Sequence, residues 1–185
     1  MSEAVATPEA IVPPSPSEFG LFLKENGIDS KPLGKDSQDV EMLELESKNL
    51  VKACTLLKEN KKTDFDLLLL VTAIELKSSF QCVYFLHSLS TKKSLRIKVS
   101  AGKENPVFHS VTSVWATANW YEREAYDMMG FKFEGHPDLK RILNPDNWEG
   151  FPLRKDYIPP SDALNGPHPV SEKEMSDRTL SKPST

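Results

Sequence analysis

The sequence predicts an α+β fold: a two-layer domain with helices on one face of a mostly antiparallel four-stranded sheet, followed by an extended C-terminal tail. Three observations predict it. Apolar residues recur at helical spacing in three windows only. Several strand-like apolar runs, some alternating, lie between and beside those windows. After Gly130, prolines at 137, 145, 152, 159, 160, 167 and 169 exclude any long helix, although aromatic and aliphatic residues continue to Ile158.

Residues 1–16, with Pro8, Pro13, Pro14 and Pro16 among small and polar side chains, are expected to be a flexible leader. Phe19 to Asn26 reads as a short helix through Leu21, Phe22 and Glu25, ended by Gly27. Lys31 to Asp39, holding Pro32 and Gly34, reads as a loop. Val40 to Glu46 alternates well enough to predict a half-exposed strand. Ser47 then offers an N-cap for a helix through about Lys58, whose Leu50, Val51, Cys54 and Leu57 share one face. Phe65–Leu76, Phe80–Leu89 and Leu95–Val99 read as consecutive strands, the first two expected at the centre of the sheet.

Ser110 or Thr112 can cap a longer helix, in which Val111, Val114, Trp115, Ala118, Ala125 and Met129 recur at threes and fours, with Gly130 just past its end. The order is βαβββα behind a short helix, giving an α+β domain over residues 17–130. Residues 131–158 carry Phe131, Phe133, Leu139, Ile142, Leu143, Trp148, Phe151, Leu153, Tyr157 and Ile158, too much apolar surface for a disordered segment. One small domain offers limited area to cover it, so at least part is expected to dock on another protein. Residues 159–185 read as a polar tail.

With 185 residues and 38% hydrophobic content, the chain fits one modest core with appended tails. A net charge of −4 argues against nucleic acid as the main partner and leaves proteins as the default. No apolar run approaches the ~18–20 residues that cross a bilayer. The start of the chain, with Glu3 and Glu9, resembles neither a secretory signal nor an Arg-rich transit peptide, so a bacterial cytoplasmic location is expected. Cys54 and Cys82 lie far apart inside apolar patterns and are expected to be buried spectators. An iron–sulfur cluster normally takes four thiolates, more than this chain has.

Glu122 and Glu124 point roughly 200° apart around a helix, so they cannot act as an acid and base on one bond. Arg123 and Asp127 share a face and can form an ion pair of a few tenths of a kcal/mol if exposed. A metal site from Glu124, Asp127 and His136 is conceivable, but His136 before Pro137 more often marks a turn in which the ring packs or bonds to backbone. Lys140, Arg141, Arg154 and Lys155 concentrate positive charge in an acidic protein, interleaved with Trp148 and Tyr157. They are either a solvated loop or guanidinium and aromatic anchors for a neighbouring protein. No Gly-x-Ser-x-Gly elbow, phosphate-binding Gly-rich loop or dinucleotide fingerprint occurs.

The stretch Asn119–Tyr157 reads NWYEREAYDMMGFKFEGHPDLKRILNPDNWEGFPLRKDY. It resembles the 30-kilodalton subunit, also called the C subunit, of respiratory complex I, the proton-translocating NADH:quinone oxidoreductase. Glu122, Arg123, Glu124, Asp127, Met128, Met129, His136, Lys140, Ile142 and Leu143 fill the family's hallmark, with Gly135, Pro137, Leu139 and Arg141 around the His. Trp148, Glu149, Gly150, Pro152, Leu153, Arg154, Lys155, Asp156 and Tyr157 extend the agreement. Phe151 stands where the family often has His, and Met128–Met129 where it often has Leu–Phe. The motif-level resemblance covers about residues 110–158.

The resemblance implies a peripheral-arm subunit on the cytoplasmic side of a bacterial membrane, attached to that membrane only indirectly. It implies docking of the tail against the larger D subunit, which helps to form the quinone site. It implies no cofactor in this chain: FMN and the Fe–S clusters belong to partner subunits, and NADH and quinone meet the chain only through the complex. The residues expected at the subunit interface are Glu122, Arg123, Glu124, Asp127, His136, Pro137, Lys140, Arg141, Trp148, Arg154, Lys155, Asp156 and Tyr157, with no catalytic residue among them. Two rivals are a related subunit of a membrane-bound hydrogenase and a metal hydrolase using Glu124, Asp127 and His136.

Overall fold

A computed structural model describes residues 17–159; the expected leader 1–16 and all of the polar tail beyond Pro159 lie outside the described residues. The element order is α1 (Glu18–Glu25), β1 (Lys31–Lys35), β2 (Glu41–Leu45), α2 (Ser47–Glu59), β3 (Leu67–Glu75), β4 (Ser79–His87), β5 (Ser94–Gly102), β6 (Val107–His109), α3 (Ala118–Met129) and β7 (Lys132–Glu134). The fold is α+β with a mostly antiparallel sheet, as the sequence predicts. That sheet has five strands in the order β1-β2-β5-β4-β3, and β6 and β7 form a separate parallel pair.

Side chains alternate across the sheet. Phe80, Cys82, Tyr84 and Leu86 of β4, Leu95, Ile97 and Val99 of β5, and Leu43 and Leu45 of β2 line one buried face. Phe19 and Leu23 of α1, Leu50, Ala53, Cys54 and Leu57 of α2, and Ala118, Ala125 and Met129 of α3 complete a single core on that face. Cys54 and Cys82 are free thiols inside it, and burial pushes the Cys82 thiol up to about 12, so neither is a ready nucleophile.

Several expectations need correction. The loop expected at Lys31–Asp39 begins with β1, which pairs with β2 through a register shift between Pro32 and Gly34. A bulge accommodates the proline and glycine that argued for a loop. β3 is an edge strand rather than a central one, because β2 pairs in parallel with β5 and so places β5 at the middle of the sheet. That edge lies against α3, whose Tyr121 hydroxyl donates to the Leu69 carbonyl at 2.8 Å.

Ser47 is not the cap of α2. Glu46 stands there without a side-chain bond, while the Ser47 hydroxyl accepts the His109 N–H at 3.1 Å and ties α2 to β6. Ser17 does cap α1, accepting the Gly20 N–H at 2.9 Å and donating to Glu41 at 2.6 Å. The last helix begins at Ala118, not at Ser110 or Thr112. The Ser110 N–H donates to the Glu134 carbonyl at 2.8 Å, which holds this residue against β7 and keeps it out of a helix. Val111, Val114 and Trp115 are nonetheless buried, delivered to the core by turns instead of a helical face.

Candidate docking interface

Ala118, Glu122, Ala125 and Met129 recur at helical spacing and turn the same side of α3 to the core. Asp127 lies two residues from both Ala125 and Met129, so it projects from the other side of the helix. It is nevertheless completely buried, and what covers it is the segment after β7.

That segment is latched to α3 at Asp127. Its Oδ1 accepts from Arg141 Nη1 at 2.7 Å and Asn144 Nδ2 at 2.9 Å. Its Oδ2 accepts three consecutive backbone N–H groups, those of Ile142, Leu143 and Asn144, at 3.1, 2.7 and 2.8 Å. Burial alone would raise this carboxyl, but the Asn144 N–H, the Arg141 guanidinium and their neighbours outweigh it and hold the pKa at about 2. Arg141 also donates through Nη2 to the carbonyls of Trp148 and Gly150, at 2.9 and 3.1 Å. One guanidinium thus joins α3 to two later points of this segment, a strap that runs over residues 135–159.

The expected helix pair of Arg123 and Asp127 is therefore not formed. Arg123 donates to the carbonyls of Lys140 and Arg141 at 3.1 and 2.8 Å, because the strap presents carbonyls to it and supplies Asp127 with a better-placed guanidinium. Further along, the Leu153 N–H donates to the Met128 carbonyl at 3.0 Å and Arg154 Nε to the Met129 carbonyl at 2.7 Å. The Lys155 N–H donates to Glu75 Oε2 at 2.7 Å, while Lys103 reaches Glu75 Oε1 at 2.6 Å. These two partners, Lys103 first, hold the Glu75 carboxyl below the usual range.

Gly130 makes this close approach possible. Its φ is +73°, and a Cβ there would lie 2.5 Å from the Phe151 ring and 2.7 Å from Arg154 Nη2. Gly130→Ala is expected to cost about 1–2 kcal/mol in backbone strain alone, and more if the strap is displaced. Thermal denaturation checks it; a loss of stability no greater than that strain would show that the strap is not packed on this residue.

The remaining predicted interface residues are dispersed. Glu122 is buried in the core, its Oε1 accepting the Val111 N–H at 2.8 Å. Glu124, Pro137, Lys140 and Asp156 are exposed, and Lys140 pairs with Asp138 at 2.7 Å. His136 sits in a turn: its Nδ1 accepts the Asp138 N–H at 3.1 Å, so Nε2 is left to donate to the Asn119 carbonyl at 3.3 Å. Burial lowers its pKa, consistent with a neutral ring. Among the described residues no group of three His, Cys, Asp or Glu side chains is placed to hold a metal ion.

Trp148 and Tyr157 are half-buried, the Tyr157 ring lying against Gly150, where φ is +80°. Facing outward from the strap are Leu143, Leu153 and Ile158, exposed to 64%, 63% and 85%. Glu75, Phe80 and Asn144 were missed by the sequence reading. Of these only Glu75 gave a signal, as the lone acid ending the otherwise uncharged strand Leu67–Glu75.

The family model for the respiratory-chain NADH dehydrogenase 30 Kd subunit matches residues 43–163, a span that takes in α2, β3 to β7, α3 and the strap. The chain belongs to this family. Within it, the C subunit of NADH-quinone oxidoreductase from Chloroherpeton thalassium is 46% identical over 103 residues, which are 55% of this chain and 43% of that protein. The C 2 subunit from Rhizobium meliloti is 47% identical over 111 residues, 58% of this chain and 60% of that one. The C subunit from Geotalea uraniireducens is 45% identical over 112 residues, 59% and 67% respectively. The matches thus span roughly half to two thirds of those relatives.

Two solved structures share the fold. One is a trypsin-resistant fragment of Nqo5, with a TM-score of 0.52 at 24% identity, covering 64% of this chain and 95% of the fragment. The other belongs to a membrane-bound sulfane sulfur reductase, an archaeal respiratory membrane complex, with a TM-score of 0.63 at 20% identity, covering 75% of this chain and 82% of that one. Among the described residues, no helix is long and apolar enough to cross a membrane.

Proposed function

We propose that this member of the 30 Kd subunit family is a cofactor-free peripheral-arm subunit of a proton-translocating NADH:quinone oxidoreductase. It works on the cytoplasmic side of a bacterial membrane and docks its strap against the D subunit, which helps to form the quinone site. Electron transfer from NADH to quinone runs through FMN and Fe–S centres of other subunits, and this chain shapes and holds its neighbours. Support comes from the family membership and from the relatives that are C subunits of NADH-quinone oxidoreductases. The observation that carries the docking role is the strap itself: anchored by Asp127, Arg141 and Arg154, it leaves Leu143 and Leu153 turned outward at 64% and 63% exposure.

An exposed leucine on a rigid support is a ready anchor for a partner pocket, because little side-chain and backbone freedom remains to be lost on docking. Leu143→Asp and Leu153→Asp together are expected to lower co-purification with the D subunit at least about tenfold, the effect of losing ~1.4 kcal/mol or more. NADH:quinone reductase activity of the membranes falls in step, while circular dichroism of the isolated chain is unchanged. Full retention of the D subunit by the double variant overturns the docking role.

A further inference from the structure

A cleft of about 410 Å³ lies between the β3–β4 turn and the strap, lined by Glu75, Leu76, Lys77, Phe80, Lys103, Arg154, Lys155 and Asp156. Four cations face two carboxylates there, in a chain whose net charge is −4. Most of that charge is already engaged. Lys103 and the Lys155 N–H hold Glu75, and Lys155 Nζ donates to the Glu75 carbonyl at 3.1 Å.

Arg154 and Lys77 are different. The Arg154 guanidinium is fixed by its Nε bond to the Met129 carbonyl and stacked on Phe80 and Phe151, with centroid distances of 5.0 and 4.8 Å. Its two terminal nitrogens donate to no described residue. A guanidinium clamped by rings, with its outer fork unused, is pre-organised for an oxyanion, since the ordering cost is met in the free chain. Lys77, exposed in the adjoining turn, bonds to no described side chain and adds a second, mobile charge.

We infer that this cleft receives a carboxylate side chain of the neighbouring subunit, gripped by the Arg154 fork with Lys77 at the rim. The inference rests on the docking role proposed above and names its chemistry. Asp156 and Glu75 beside the fork favour a singly charged carboxylate over a doubly charged phosphate, which they would repel more strongly. The cleft lies between the strap and the sheet, and Leu153, the residue before Arg154 in the chain, is exposed.

The test places photoreactive p-benzoylphenylalanine at Ser78, an exposed turn residue beside Lys77, and irradiates the assembled complex in native membranes. The expected adduct joins this chain to a protein subunit within a few residues of an Asp or Glu. Arg154→Gln weakens that adduct about fivefold or more, as does Lys77→Glu, which sits outside the core and leaves folding intact. In both variants raised KCl also releases the chain sooner, because salt screens the remaining charges. An adduct to lipid alone, or one indifferent to both substitutions, overturns the carboxylate site. So does the absence of any adduct while the chain still co-purifies; all three outcomes leave the subunit role standing. Failure of the chain to co-purify with any respiratory subunit overturns the subunit role itself.

Discussion

Asp127→Ala is expected to free the strap from α3 and to cost about 3–5 kcal/mol of stability. The substitution removes the acceptor of five hydrogen bonds, from Arg141, from Asn144 Nδ2 and from the N–H groups of Ile142, Leu143 and Asn144. It leaves a guanidinium only 12% exposed without its carboxylate. Hydrogen exchange should show the amides of Leu143 and Asn144 exposed by local opening, while those of β4 and β5 lose protection only by the fall in global stability. Retained protection at Leu143 and Asn144 would mean that Asp127 does not hold the strap.

The same residue predicts acid sensitivity. Its pKa of about 2 lies below the ordinary 3.8, so its contribution is fully present above pH 3.8 and is lost as pH falls through 2. That contribution is about 2 kcal/mol. Asp127→Asn should remove this dependence and flatten stability over the same interval.

Glu122 predicts the opposite trend. It is fully buried, its Oε2 has no hydrogen-bond partner among the described residues, and its charge is felt by Cys54 of α2 and by Cys82 and Tyr84 of β4. Burial raises its pKa to about 7, against the lowering influence of the Ser110 hydroxyl and the Val111 N–H. A carboxyl raised from 4.5 to about 7 contributes fully below pH 4.5, and that contribution is lost as pH rises through 7. Glu122→Gln, which mimics the neutral acid, should therefore gain on the native protein by about 3 kcal/mol between pH 4 and pH 8. Urea denaturation at the two pH values measures the gain. A difference between the proteins that stays constant with pH would show that Glu122 titrates alike in the folded and unfolded states.

These opposed behaviours belong to two acids of one short motif, and spacing alone could not assign them. Glu122 shares the helical repeat of Ala118, Ala125 and Met129, so its burial was readable as a conflict between an apolar face and a charged residue. Asp127 stands off that face, and an exposed ion pair with Arg123 was the natural reading. Only the return of the chain from Arg141 to Asn144 buries it. The strand-like runs became strands for a related reason: alternation in Leu95–Val99 and apolar continuity in Leu67–Val71 are local. Which strand sits at the centre depends on β2 reaching β5, a pairing between residues far apart in sequence.

The helix starts show the same division. Ser47 and Ser110 carry the right chemistry for a cap, but each is claimed by a distant group, His109 in one case and Glu134 in the other. By itself the sequence determined the α+β class, the positions of most elements, the buried cysteines and the family, because these follow from local periodicity, backbone propensity and contiguous motifs. The tertiary structure alone decided strand order, the fate of each motif charge and the surface left for a partner. Hydrogen bonds and burial are settled by whichever groups meet in space, and the strap meets α3 across a fold that no local window contains.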